Sequence, residues 1–77
     1  MNQDQYAVVE TIDYNNGITL AESNIVIIDD HAKCVETIAK LQQKWSKVAH
    51  LNDVSDTYFW VTDEEEIKHS FAVKRPT

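Results

Sequence analysis

The side chains that could bind a metal or perform acid–base or nucleophilic chemistry are few and scattered. They are three histidines, one cysteine and two adjacent aspartates: His31, His50, His69, Cys34, Asp29 and Asp30. No two histidines have the i, i+4 spacing of a helical zinc site, and there is no Cys-x-x-Cys pair. The single glycine also excludes a glycine-rich phosphate-binding loop. The sequence therefore predicts no metal, no cofactor and no catalytic residue, and we expect a protein that is not an enzyme.

Two of these reactive side chains fall at positions typical of structural residues. Cys34 lies in the apolar stripe of a predicted helix, where a thiol behaves as a small hydrophobe. His69 lies on the apolar side of a predicted strand, where an isolated histidine is more often a hydrogen-bonded core residue than a ligand. The remaining enzymatic hypothesis, a divalent ion held by Asp29, Asp30 and a histidine, rests on residue type alone.

Length and composition predict one small folded domain over residues 1–77. Of these residues, 43% are hydrophobic, and only one is glycine and one proline, which argues against disorder. A single cysteine cannot form an intramolecular disulfide, and the N-terminal residues do not resemble a signal peptide. The longest apolar run, Ile25 to Ile28, is too short to span a bilayer. We therefore expect a cytoplasmic protein.

The net charge of −6 disfavours nucleic acid and anionic lipid as partners, because both are bound by clustered basic residues. A protein with a basic surface is favoured instead. The same charge is also compatible with a role in solubility alone.

Hydrophobic periodicity predicts a β-β-α-β-β order of elements. The strands are expected at about 5–13, 18–28, 57–62 and 67–74, and the helix at about 30–49. Asn16-Gly17 favours a two-residue turn between the first two strands. The polar triplet Glu22–Asn24 is interpreted as a bulge or bend in one long second strand, with a separate short strand as the alternative. Asp29-Asp30 provides an N-cap for the helix.

These elements predict an α+β fold in which one helix covers one face of a four-stranded antiparallel sheet. The other face is then open to solvent or to a partner. Strict alternation in the third strand favours Phe59 and Val61 on the covered side and Tyr58 and Trp60 on the open side. An outward Tyr and Trp are typical of interface hot spots. The alternatives are the opposite register, which would bury these two rings, and a C-terminal segment that folds over them.

The segment Asp63, Glu64, Glu65 and Glu66 is the sharpest local concentration of charge. It is either a solvated turn that protects the sheet from aggregation or an acidic element for binding a basic partner. In the second case it would steer this protein toward the partner, or imitate the phosphates of nucleic acid in the partner's basic groove. Mimicry is favoured only if other carboxylates extend the row in space: Asp53, Asp56, Glu10 or Asp13.

A second charged surface lies on the predicted helix. Four lysines share one face, within about 60° of one another at 100° per residue: Lys33, Lys40, Lys44 and Lys47. This stripe is either an ordinary solvated face or a contact for phosphate groups.

The first functional hypothesis is a small acidic interaction protein that binds, and inhibits or regulates, a larger protein complex. Tyr58 and Trp60 would be its apolar anchors and Asp63 to Glu66 its steering element. In size, acidity and lack of catalytic residues the chain resembles small accessory proteins of phages and mobile elements, a resemblance of type that extends to no specific residues. The alternative is a homodimer that contacts nucleic acid through the lysine stripe.

Overall fold

The structure, a computed structural model, describes residues 5–75 and contains one helix and four strands in that range. The elements are β1 (Gln5–Asp13), β2 (Glu22–Asp30), α1 (His31–Ser46), β3 (Tyr58–Thr62) and β4 (Lys68–Lys74). All strand pairs are antiparallel and form one sheet, which confirms the predicted α+β class and the β-β-α-β-β order. No helix within residues 5–75 is long and apolar enough to cross a membrane.

The strands lie in the order β2-β1-β4-β3. The first and last strands of the chain are therefore neighbours in the centre of the sheet, and β2 and β3 form its two edges. Each hairpin contributes one central and one edge strand, and the β1–β4 pairing joins the hairpins directly.

The core lies between α1 and one face of the sheet. Cys34 and Ile38 of the helix are completely buried against inward side chains of three strands. The rings of Phe59 and Phe71, on neighbouring strands, stack with centroids 4.9 Å apart and an interplanar angle of 14°. This stack joins β3 to β4 within the buried layer.

Helix α1 begins as the sequence predicts and ends earlier. The Asp30 side chain accepts a hydrogen bond of 2.8 Å from the backbone N–H of Lys33, which satisfies one donor of the first turn. The helix ends at Ser46 rather than near residue 49. The N–H groups of Val48 and Ala49 both bond to the carbonyl of Trp45, which tightens the last turn and redirects the chain.

The predicted turn at Asn16-Gly17 is wrong: β1 and β2 are joined by the loop of residues 14–21. Asp13 accepts a bond from the N–H of Asn15, and the Asn16 side chain accepts from the N–H groups of Ile18 and Thr19. These local bonds compete with strand pairing. Residues 18–21, assigned to the second strand from sequence, therefore belong to the loop.

The irregularity in β2 lies further along than the sequence suggests. Residues 22–24 pair regularly with β1, whereas Ile25 pairs with Val9 and Ile27 with Val8. Val26 therefore has no counterpart and forms a β-bulge. The polar triplet Glu22–Asn24 suggested a bulge in this strand. The position of the bulge, at Val26, is set by the register between β1 and β2.

Candidate functional site

The face of the sheet opposite α1 carries Tyr58 and Trp60. Phe59 and Val61, which alternate with them in β3, are completely buried toward the helix, so Tyr58 and Trp60 point to the other side. Both side chains are half-buried. The predicted orientation of this strand is therefore confirmed, while the role of the two rings in binding stays a prediction.

Apolar side chains form a row across this open face. Ile25 of β2 pairs with Val9 of β1, Val9 pairs with Ala72 of β4, and Ala72 pairs with Tyr58 of β3. Directly paired residues of antiparallel strands lie on the same face. The row therefore crosses all four strands, and its Tyr58 end lies next to Trp60.

Trp60 is held in place on this face by two side chains. Its indole N–H donates a hydrogen bond of 2.7 Å to Oδ2 of Asp53, and the ammonium group of Lys68 lies 4.5 Å from the centroid of the ring. The backbone of Trp60 also exchanges two hydrogen bonds with Asn52. The indole is therefore fixed before any partner binds.

A groove of about 450 Å³ runs beside this ring. It is lined by Asp13, Asn15, Trp60, Thr62, Glu66 and Lys68. Two carboxylates thus lie close to an aromatic surface, and Asp53 is bonded to the indole from its other side. An aromatic ring beside carboxylates is suited to a cationic side chain, because the ring and the acids both attract positive charge.

The acidic turn is only partly available to a partner. The carboxylate of Asp63 accepts bonds from the N–H groups of Glu65 and Ile67 and lies 2.9 Å from Nε2 of His69. The hydrogen bond from His69 is the main cause that lowers the pKa of Asp63. Both oxygens of Asp63 therefore stabilise the turn, whereas Glu64, Glu65 and Glu66 are exposed.

His69 joins two carboxylates on the helix side of the sheet. Its Nδ1 lies 3.2 Å from Oε2 of Glu10, and its Nε2 lies 2.9 Å from Oδ2 of Asp63. A neutral imidazole donates only one hydrogen bond, whereas an imidazolium donates two. Each ring nitrogen of His69 therefore has a carboxylate within hydrogen-bonding distance, and the ring also packs 5.1 Å from that of Trp45.

A second cleft, of about 390 Å³, lies at the C-terminal end of α1. Its lining combines an apolar side from the helix end with the acidic turn: Trp45, Val48, Ala49, Asp63, Glu64 and Glu65. The exposed Glu64 and Glu65 therefore face this cleft rather than the groove beside Trp60.

The lysine stripe on α1 is interrupted by an acid. Glu36 lies 3.6 Å from the ammonium of Lys33 and 3.4 Å from that of Lys40. The charge of Lys33 is the main cause that lowers the pKa of Glu36. Of the other two lysines, Lys44 is in the last turn and Lys47 is the C-cap. The stripe is therefore less basic than its four lysines alone suggest.

The two aspartates of the hypothetical metal site have structural roles. Asp30 caps the helix, and the Asp29 carboxylate accepts a bond of 2.7 Å from the N–H of Asp30. Within the part of the chain that the structure describes, no group of three His, Cys, Asp or Glu side chains is arranged to hold a metal ion.

Cys34 is expected to react slowly in the native protein. Its side chain is completely buried, and burial raises the pKa of its thiol, which lowers the fraction of reactive thiolate. Modification by Ellman's reagent at neutral pH should therefore be at least about tenfold slower in native buffer than in denaturant. Equal rates in the two conditions would show that Cys34 is outside the core.

Sequence reasoning missed the contacts of Asp53 and Glu10. Asp53 is in a loop, and the positive φ of 51° at this residue is part of the turn that places its carboxylate on the indole of Trp60. Glu10 is separated from His69 by 59 residues. The only available signal was the predicted placement of His69 on an apolar strand face, where a buried ring requires polar partners.

No family model, curated protein or solved structure matches the chain.

Proposed function

We propose that this chain is a non-catalytic interaction protein that binds a larger protein through the open face of its sheet and thereby inhibits or regulates it. This is the mode of action of the small phage and mobile-element accessory proteins that it resembles in type. The observation that carries the proposal is Trp60, which is fixed in an acidic groove on a sheet face without a helix.

The aromatic surface supports this proposal energetically. Tyr and Trp combine a large apolar area with a polar group and lose little conformational entropy on binding. Trp60 has already lost most of its freedom, because Asp53 and Lys68 hold the ring. The apolar row that ends at Tyr58 extends the contact area across the sheet.

The charges around the groove indicate the chemistry of the partner. Asp13 and Glu66 line it, and the whole chain carries a net charge of −6. Lys68 lies over the Trp60 ring, so the ring stacks with a cation even in the free protein. A partner that presents an arginine or lysine beside apolar residues fits this surface. The buried free thiol of Cys34 suits a reducing cytoplasm as the site of action.

Substitution of Trp60 by alanine should abolish most of the binding. Loss of a central aromatic anchor typically costs about 2 kcal/mol or more, which corresponds to about 30-fold in Kd. The tagged wild-type chain would be used to capture proteins from the native cell, and the affinity of the captured partner would then be measured with Trp60→Ala and Tyr58→Ala. Val48→Ala is the matched control, because Val48 is 72% exposed at the end of the helix.

The proposal also requires that Trp60→Ala and Tyr58→Ala remain folded. Circular dichroism of both variants should match that of the wild type, because the completely buried core lies on the other side of the sheet. If either variant unfolds, or if Val48→Ala weakens binding as much as Trp60→Ala, the open face is not the binding surface.

A further inference from the structure

Most of the exposed large apolar side chains within residues 5–75 lie in edge strand β2 and in the loop that precedes it. Residues 5–75 contain seven large hydrophobic side chains that are exposed, and five of them lie between residues 18 and 28. They are Ile18, Leu20, Ile25, Val26 and Ile28. Single exposed apolar residues are common on protein surfaces, but a contiguous group marks an interaction site.

The two edges of the sheet differ in how their backbone groups are satisfied. The edge of β3 is closed by the following bonds from its own preceding loop: Asn52 exchanges two hydrogen bonds with Trp60, and the N–H of Ser55 bonds to the carbonyl of Tyr58. Strand β2, which has nine residues, pairs on one side with β1 and has no strand on its other side within residues 5–75. Its outward N–H and C=O groups are therefore a template for another strand.

Strand β2 carries only one of the usual protections of an edge. Charged side chains, prolines and bulges normally prevent edge strands from pairing. The segment 23–28 contains no charged residue and no proline, and its one irregularity is the bulge at Val26. The acidic residues of β2 are confined to its two ends, at Glu22 and at Asp29 and Asp30.

We infer that β2 pairs with β2 of a second copy of the chain. An antiparallel pair of this kind is self-complementary, as a two-fold interface must be, and it covers the apolar side chains of both edges at once. The outer edges of the resulting eight-stranded sheet are then the two β3 strands. Because each β3 edge is closed by its own loop, the assembly ends at the dimer and does not grow into a filament.

The positions of the acidic residues select the register of this pair. A pair centred on Val26 places Glu22 opposite Asp30 of the partner subunit, and like charges in direct opposition are destabilising. A pair centred on Ile25 places Glu22 opposite Ile28 of the partner subunit and leaves Asp29 and Asp30 beyond the paired residues of β2. In this register Ile25 faces Ile25 of the partner subunit, and no acid of β2 faces another. The inference does not depend on the proposed function, because the binding groove beside Trp60 lies at the far side of the sheet.

Analytical ultracentrifugation of the full chain tests the interface. We expect a mass of twice 8.9 kDa at micromolar concentrations and a monomer for Ile25→Lys, with a dimer Kd increased by about tenfold or more. Ile25 is 64% exposed, so the variant should remain folded by circular dichroism. Val48→Lys, which adds the same charge to an exposed residue at the helix end, should still form the dimer. A wild-type chain that is monomeric throughout, or a dimer that survives Ile25→Lys, overturns the inference.

Disulfide cross-linking tests the register. Directly opposed residues of an antiparallel pair have Cα atoms about 4.5–5.5 Å apart, within the range of a disulfide. Ile25→Cys should therefore form a covalent dimer under mild oxidation, while the buried Cys34 does not compete. Val54→Cys, on an exposed loop residue, should remain largely uncross-linked. If Val26→Cys cross-links faster than Ile25→Cys, or if Val54→Cys cross-links as fast, the proposed register is wrong.

Discussion

Replacing Phe59 with alanine is expected to lower the free energy of unfolding by about 3–5 kcal/mol. Phe59 is completely buried and stacks on Phe71, so its removal leaves a cavity between the sheet and the helix. A chain of 77 residues has a total stability of roughly 4–12 kcal/mol at 0.05–0.15 kcal/mol per residue. A large part of the free energy of unfolding therefore depends on the Phe59 ring.

Urea denaturation followed by circular dichroism measures this loss as a lower midpoint with an unchanged slope. Two further variants make the measurement interpretable. Phe59→Leu removes less volume and should lose roughly 1–2 kcal/mol, so it reports on the site even if Phe59→Ala does not fold. Val54→Ala changes an exposed residue and should remain within about 0.5 kcal/mol of the wild type. A Phe59→Ala variant as stable as Val54→Ala would contradict the observed core.

Replacing His69 with leucine is expected to lower the stability at neutral pH by about 1.5–3 kcal/mol. The imidazole lies between the carboxylates of Glu10 and Asp63, and its side chain is only 14% exposed. Leucine fills the space beside Trp45 but provides no hydrogen-bond donor. The carboxylates of Glu10 and Asp63 then lose the hydrogen-bonding group that lies between them.

This loss should become smaller as the solution is acidified. The pKa of Asp63 is held below its ordinary value of 3.8, chiefly by the hydrogen bond from His69. A carboxyl group with a lowered folded pKa stabilises the fold above its unfolded pKa, and this contribution disappears as the pH falls through the folded value. The difference in the free energy of unfolding between the wild type and His69→Leu should therefore become smaller below pH 3.8.

Denaturant midpoints at neutral and acidic pH measure both parts of this prediction. His50→Leu is the matched control, because His50 is exposed in the loop after the helix and should change the stability by no more than about 0.5 kcal/mol at either pH. A stability difference between the wild type and His69→Leu that is constant across this pH range would show that the ring acts through packing alone.

The substitutions at Trp60 and at Phe59 separate binding from folding in one strand. The two residues are adjacent in sequence, yet β-strand geometry places them on opposite faces of the sheet. Phe59→Ala should therefore affect stability and Trp60→Ala chiefly partner affinity. The substitution at Ile25 adds a third readout, self-association, and should change the stability little because Ile25 is exposed.

Local features of the sequence were sufficient to predict the order of the elements and several of the side chains that they bury, though not the bounds of β2. Asp30 caps the helix because an aspartate there bonds to the N–H three residues later, and Cys34 and Ile38 face the core because they are separated by about one helical turn. Phe59 and Val61 are buried together because alternate residues of a strand share a face. Each of these relations spans only a few residues, so it is a property of the backbone geometry of that segment.

The arrangement of those elements was decided only in the folded structure. The pairing of Glu10 with His69 joins residues 59 positions apart and exists because β1 lies next to β4 in the sheet. The contact of Asp53 with Trp60 requires the loop to return along β3, and the exposure of Ile25 follows from the position of β2 at an edge. Local periodicity determines which side of a strand is apolar. The neighbour that covers this side is distant in sequence, so a local pattern cannot identify it.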